Sequence, residues 1–372
     1  MMLSSRLQAF TPFEVMEILD IANNLEKQGK KVIHLEIGEP DFSPPPKVIR
    51  ETINALKNGK TSYTSSYGIK TLREKVVNYI NNKYKTKLNI ENTIITPGTS
   101  LGLFYALSAL LEKDDKILLL NPTYPCYPNF IKFLEGKVIY AKWDLEDIKK
   151  KIRENKIKLA LINSPSNPLG IQIDKEVLNF LYEHIPLIVS DEIYQGLIYE
   201  GKELSSLHFD PSLEKTIYLN GFSKYFGMTG FRLGYILAKK EVIEAILKLQ
   251  QNLFLCPSSF SQEGAIYAFD EESIDYIENI KKELDRRRRL VIKLLKEANI
   301  DFIYPTGAFY VFVNIKRNSK NFCKKLLLKK QVALTPGSGF GPGNENFIRI
   351  SYANSYENVK EGIQRFLEFL KS

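Results

Sequence analysis

From about residue 45 to residue 260, short apolar runs alternate with stretches of helical periodicity. NTIITPG, DKILLLNP, KVIYA, IKLALINSP, PLIVSDE and TIYLNG read as buried strands, being short and almost continuously apolar. Between them, SLGLFYALSALLEK, PNFIKFLEG and KEVLNFLYEH read as helices. Strands that alternate with helices imply the α/β class, with a mostly parallel sheet covered by helices on both faces. Such a sheet receives ligands at the carboxyl ends of its strands. The polar residues just after each strand are therefore the first candidates for a site.

Beyond residue 272 the pattern changes. SIDYIENIKKELDRRRRLVIKLLKEA reads as one long amphipathic helix. IDFIYPTGAFYVFVNI and NFIRISYAN are strand-like, and NVKEGIQRFLEFL is helical. This is an α+β pattern, and a chain of 372 residues is long for one core. The expected division is a large domain over residues 45–272 and a smaller α+β domain built from residues 1–44 and 273–372.

Composition excludes several classes. Hydrophobic residues make up 44% and charged residues 26%, which is ordinary for a globular protein. No apolar run approaches the roughly 18 residues that span a bilayer. The stretch MMLSSRLQAFTPFEVMEILD lacks the pattern of a signal peptide, so the expected location is the cytoplasm. Cys126, Cys256 and Cys323 are isolated, and His34, His184 and His208 are scattered, so no disulfide or metal pattern emerges. The net charge of +9 is concentrated partly in Lys149, Lys150, Lys151 and Arg153, and in Arg286 to Arg289. Both clusters sit in helix-like stretches with apolar residues opposite, and read as solvated helix faces rather than nucleic-acid sites.

The strand ends carry the chemistry. NTIITPG leads to Gly98, Thr99 and Ser100, which open a helix. That turn is either an anion pocket made by a helix N-terminus or an ordinary capped helix. Tyr124, between two prolines, could stack on a flat ring or simply pack a turn. Asn167 precedes a proline and is a good turn residue. Asp191 ends an apolar strand and needs a partner to stay ionised there. Ser223 and Lys224 follow TIYLNG, and Arg232 lies eight residues on, in a strand-like FRLGYI. A lysine in a partly dry pocket loses basicity, and its neutral amine can attack a carbonyl. Otherwise its stem packs while the amine reaches water. Together these groups offer a phosphate pocket, a ring platform, a carboxylate for a cationic ring nitrogen and an amine for an aldehyde. Pyridoxal 5'-phosphate has all of those parts.

The chain resembles the class I/II aminotransferases of the fold-type I pyridoxal phosphate enzymes, the aspartate, alanine and aromatic aminotransferase group in particular. The resemblance rests on LEIGEPDF, SYTSSYGIKTLRE, ITPGTSLGL, NPTYPCY, NSPSNPLG, SDEIY, GFSKYFGMTGFRLGY, PTGAFYVF, PGSGFG and IRISYA, which occur in the family's order from residue 35 to 353. It implies that Lys224 holds the cofactor as a Schiff base and then moves the substrate's proton. Asp191 would keep the pyridine nitrogen protonated, and Asn167 and Tyr194 would bond the ring oxygen. Tyr124 would stack on the ring. Thr99, Ser100, Ser223 and Arg232 would bind the phosphate, with close approach at Gly98. Arg349 and Gly38 would bind the substrate α-carboxylate. Tyr63 would reach the phosphate of a neighbouring subunit, which implies a homodimer with shared sites.

The substrate is less constrained. Some members carry a lysine for a distal carboxylate where this chain has Ser100. Phe10 and Phe13 fall where the family lines its side-chain pocket, which points to apolar or mixed donors, with aspartate not excluded. The expected acceptor is a 2-oxo acid, 2-oxoglutarate first. A carbon–sulfur lyase or synthase on the same fold would use the same Lys224 and Asp191. An aminotransferase-like transcription regulator would need a DNA-binding module before EIGEPDF, for which residues 1–35 leave no room.

Overall fold

The computed structural model describes residues 5–372; the first four residues of the N-terminal stretch lie outside the described part. Its strands, in chain order, are β1 (Ile33–His34), β2 (Thr93–Thr96), β3 (Lys116–Asn121), β4 (Lys137–Lys142), β5 (Ile157–Asn163), β6 (Leu187–Asp191) and β7 (Thr216–Gly221). They continue with β8 (Gly234–Leu237), β9 (Asp301–Ile303), β10 (Tyr310–Asn314), β11 (Val332–Ala333), β12 (Thr335–Pro336) and β13 (Phe347–Ser351). Seven form a central sheet in the order β2-β8-β7-β6-β5-β3-β4. β8 runs antiparallel to β2 and β7, and the other pairings are parallel.

Side chains alternate across each strand, so each strand feeds two cores. On one face Leu119, Leu159, Leu161, Val189 and Leu219 pack with Leu103, Tyr127 and Ile243 from covering helices. On the other face Leu118, Leu120, Ala160, Ile162 and Ile188 pack with Ile148, Leu178 and Leu181. Burial on both faces explains why the strands read as apolar runs rather than as alternating patterns.

All strands of this sheet fall between Thr93 and Leu237. The other two sheets use residues up to His34 or from Asp301 onward. One is antiparallel, in the order β12-β13-β10-β9, and the other pairs β1 with β11 in parallel. No described helix is long and apolar enough to cross a membrane.

The arginine run in the long helix Glu271–Glu297 is not a uniformly solvated face. Arg286 and Arg289 follow that reading, paired on the surface with Glu283 and Asp285. Arg288 is buried, with 1% of its side chain exposed. The cause is helical spacing: Leu284, Arg288, Val291 and Leu295 recur every three or four residues on one buried stripe. Its guanidinium donates to Asp285 at 2.7 Å, to Glu200 at 2.6 Å and to the carbonyl of Pro305 at 2.8 Å. A buried charge of this kind persists only when its donors are matched. Arg288→Ala should lower stability by about 3 kcal/mol. The check is the midpoint of denaturant unfolding, which should fall without loss of secondary structure in the folded baseline.

Candidate active site

β5, β6 and β7 are neighbours in the sheet, so Asn167, Asp191 and Lys224 leave adjacent strand ends. They meet in a cavity of about 280 Å³, also lined by Gly38, Thr99, Ser100, Tyr124, Tyr194, Ser223, Arg232 and Arg349. Gly98 is not on its wall, yet it sets the approach of Arg232. A Cβ at Gly98 would fall 2.8 Å from the Arg232 guanidinium, and its φ of +83° suits glycine. Tyr63 lies elsewhere, 83% exposed on the surface.

One end of the cavity is built from a helix start. In the helix Thr99–Leu110 the N-cap is Gly98, and no side chain caps it. Neither Thr99 nor Ser100 serves as the cap that one sequence reading allowed. The first N–H groups of an uncapped helix seek an anion, and the helix dipole favours one. Arg232 is also placed differently from expectation. It is not in the strand but just before β8, in a left-handed turn with φ of +53° after a short 3-10 helix. That turn brings its guanidinium to the carbonyl of Thr229 at 2.8 Å and beside Gly98.

Lys224 sits in the turn after β7, and its Nζ donates to the carbonyl of Gly38 at 2.7 Å. Burial pushes its pKa down to about 8, with Arg349 and Arg232 adding to the effect while Glu39 and Asp191 oppose it. Asp191 is buried, and that lifts its carboxyl to about 6, against the pull of Tyr127, the Ile193 N–H and Lys224. Tyr127 donates its hydroxyl to Asp191 Oδ2 at 2.7 Å. The backbone N–H of Ile193 donates to Oδ1 at 3.2 Å. Asn163 donates to the Asp191 carbonyl at 2.9 Å and accepts from the N–H of Asn167 at 2.8 Å.

Arg349 is buried in β13. It donates to Asn167 Oδ1 at 2.9 Å, to Thr335 Oγ1 at 3.1 Å and to the carbonyl of Glu36. Its Nε is buried without a partner, a donor that an incoming carboxylate would satisfy. The Tyr310 ring lies 4.4 Å from the guanidinium, and its hydroxyl bonds that of Tyr194 at 2.8 Å. A Cβ at Gly38 would fall 2.0 Å from the Tyr310 hydroxyl, so only glycine lets this segment pass.

Four positioning residues went unnoticed in the sequence: Tyr127, Asn163, Tyr310 and Thr335. Tyr127 could have been found, since it lies one helical turn from Tyr124. Asn163 could also have been found, as the polar residue that ends β5, whereas Tyr310 and Thr335 carry no local signal, because only pairing across strands brings them to the site. The uncapped helix, the two facing cations and the buried carboxylate fit a phosphorylated pyridine aldehyde.

The family model for aminotransferase class I and II matches residues 30–366. A (5-formylfuran-3-yl)methyl phosphate transaminase of Methanocaldococcus jannaschii is 54% identical, over 99% of this chain and 100% of that protein. An aspartate aminotransferase of Sulfolobus acidocaldarius is 37% identical over 94% of this chain and 93% of that one. A crystal structure of a Methanococcus jannaschii protein, described as similar in its active site to kynurenine aminotransferases, superposes with a TM-score of 0.96. It is 54% identical and covers 99% of this chain and 100% of that one.

The lowered pKa of Lys224 makes a prediction about the cofactor-free protein. Its folded pKa lies below the ordinary 10.5, so holding the ammonium in place costs stability at neutral pH. That cost is full below pH about 8 and fades as pH rises from there toward 10.5, where the unfolded chain also loses its proton. Lys224→Met should therefore stabilise the cofactor-free protein at pH 7 by about 2 kcal/mol. Melting curves across pH 7 to 10.5 should show the two proteins converge.

Proposed function

We propose, for a chain that belongs to the aminotransferase class I and II family, that the amino group of an L-amino acid passes to a phosphorylated aromatic aldehyde. The favoured acceptor is the (5-formylfuran-3-yl)methyl phosphate named for the 54% identical relative. The chain is a pyridoxal 5'-phosphate-dependent transaminase of fold type I. The carbon that carries the donor's amino group becomes a ketone, and the acceptor's aldehyde becomes an aminomethyl group.

One observation carries the choice of acceptor. Phe13, Val15, Met16, Leu19, Leu103 and Phe130 give the cavity an apolar wall, and its only cations among the described residues are Lys224, Arg232 and Arg349. With Arg232 directed to the cofactor phosphate and Arg349 to an α-carboxylate, aspartate's distal carboxylate finds no cationic partner on this wall. A flat furan ring suits such a wall.

The residues divide the work as follows. Thr99, Ser100, Ser223 and Arg232, with the helix start after Gly98, hold the cofactor phosphate. Tyr124 takes the ring face, and Asn167 and Tyr194 the ring oxygen. Asp191, fixed by Tyr127, faces the ring nitrogen and favours its protonated form. The cofactor, when bound, supplies an electron sink for the carbanion left when the donor Cα loses its proton. Lys224 would hold the cofactor through its aldehyde carbon, releasing water, until the donor amine displaces it. Its amine, with basicity lowered by burial, would then take the proton from Cα and deliver it to the cofactor carbon that had carried the aldehyde. Arg349 and the Gly38 segment fix the donor carboxylate and so orient the Cα–H bond.

We also propose a homodimer in which Tyr63 serves the neighbouring subunit's phosphate. Tyr63, Leu253, Phe254 and Leu255 are all exposed, and the N–H of Thr64 donates to Cys256 Sγ at 3.4 Å. Sedimentation should give twice the 42.8 kDa chain mass, and Tyr63→Phe should weaken cofactor affinity by roughly tenfold, as loss of a charge-assisted hydrogen bond requires.

The direct test supplies the cofactor-loaded protein with L-amino acids and either the furan aldehyde phosphate or 2-oxoglutarate. The expected result is a higher kcat/KM for the furan aldehyde. Clear preference for 2-oxoglutarate with aspartate would overturn the reading. Lys224→Ala should remove turnover with every pair, by at least about 10³-fold, while some cofactor binding remains.

A further inference from the structure

A second cavity, of about 310 Å³, lies against the active site. It shares Phe13, Val15, Tyr124 and Arg349 with the first, so the two cavities adjoin. The Phe13 ring stands edge-on to the Tyr124 ring, with centroids 6.0 Å apart. The far wall is preformed: the backbone N–H and hydroxyl of Thr11 both donate to Asn129 Oδ1, at 3.3 and 3.2 Å. Lys132 follows Asn129 by one turn of the helix Cys126–Phe133 and lines the same cavity.

The charges in this space are unevenly committed. Glu14 accepts from the Ser338 hydroxyl at 2.5 Å and faces Lys320 at 3.7 Å. Glu345 is exposed and accepts from the N–H of Gly343 at 3.3 Å. Arg349 faces both cavities. Lys132 lines the second cavity alone, and among the described residues no carboxylate comes within ion-pair distance of it.

The proposed chemistry needs such a cation, a step that rests on the acceptor named above. The donor carries its carboxylate on the reacting carbon itself. The acceptor has no carboxylate, and its only anion is a phosphate separated from the reacting carbon by a furan ring and a methylene. One site must therefore serve anions at two distances. We propose that the second cavity receives the phosphate arm of the acceptor and that Lys132 is the cation that reads it, with Arg349 shared between the two substrates.

Lys132 is exposed, so substitution leaves the fold intact. Cofactor-loaded wild type, Lys132→Ala and Lys132→Glu are compared with (5-formylfuran-3-yl)methyl phosphate, with the corresponding unphosphorylated alcohol, and with the amino donor in a single half-reaction. The expected result is a KM for the phosphorylated aldehyde raised roughly tenfold by Lys132→Ala, and further by Lys132→Glu. KM for the alcohol and the donor half-reaction should stay within about twofold of wild type, the scatter of neutral surface changes. Inorganic phosphate should compete with the phosphorylated aldehyde in wild type and lose that effect in Lys132→Glu. Unchanged KM for the phosphorylated aldehyde in both variants overturns the subsite alone. Failure of the wild type to use the phosphorylated aldehyde overturns the acceptor and the subsite together.

Discussion

Two backbone carbonyls hold the two cations on which the site depends. The carbonyl of Gly38 accepts from Lys224 at 2.7 Å, and that of Glu36 accepts from Arg349. The segment that carries them follows β1 and is anchored from several sides. Thr335 Oγ1 donates to the Glu36 carbonyl at 2.8 Å, and the N–H of Ser351 donates to the Leu35 carbonyl at 2.8 Å. Neutral acceptors of this kind keep a cation in place without neutralising it. Burial keeps the lysine short of full basicity, and the Nε of the arginine stays buried without a partner. A carboxylate in the same position would have raised the lysine pKa.

The same economy appears at Asp191. Burial raises its carboxyl to about 6, and Tyr127 and the Ile193 N–H pull the other way. A cationic ring nitrogen close by would complete that stabilisation. The site is thus under-compensated on both sides, with a carboxylate short of positive charge and an uncapped helix short of an anion. A ligand carrying a pyridinium and a phosphate relieves both deficits at once. Strain of this sort is common where binding must be tight and chemistry must follow.

Much of this was legible in the sequence. Double-sided burial writes itself as continuous apolar runs, so the central strands could be read directly, and the sheet rule then pointed to the residues after each one. Arg288 was legible in principle too, since its spacing from Leu284 and Val291 puts it on the buried stripe. The density of charge around it hid that. Arg232 was misread because FRLGYI looks apolar enough to be a strand throughout. Its left-handed backbone instead closes the short 3-10 turn Thr229–Phe231 that precedes it. The missing cap on the helix Thr99–Leu110 was hidden as well, since two hydroxyl residues stood next to the right position.

The sequence by itself determined the strands, the groups that follow them and, through those groups, the kind of cofactor they suit. These follow from local periodicity and from the chemistry of single residues. The tertiary structure decided how those groups are tuned and what lies beside them. It set the carbonyl partners of Lys224 and Arg349, the tyrosine on Asp191 and the second cavity beyond Phe13. Each joins residues from distant parts of the chain, as Gly38 and Lys224 do at a separation of 186 positions. Local pattern carries no record of such pairs, because burial and hydrogen bonding across elements exist only after the elements have packed.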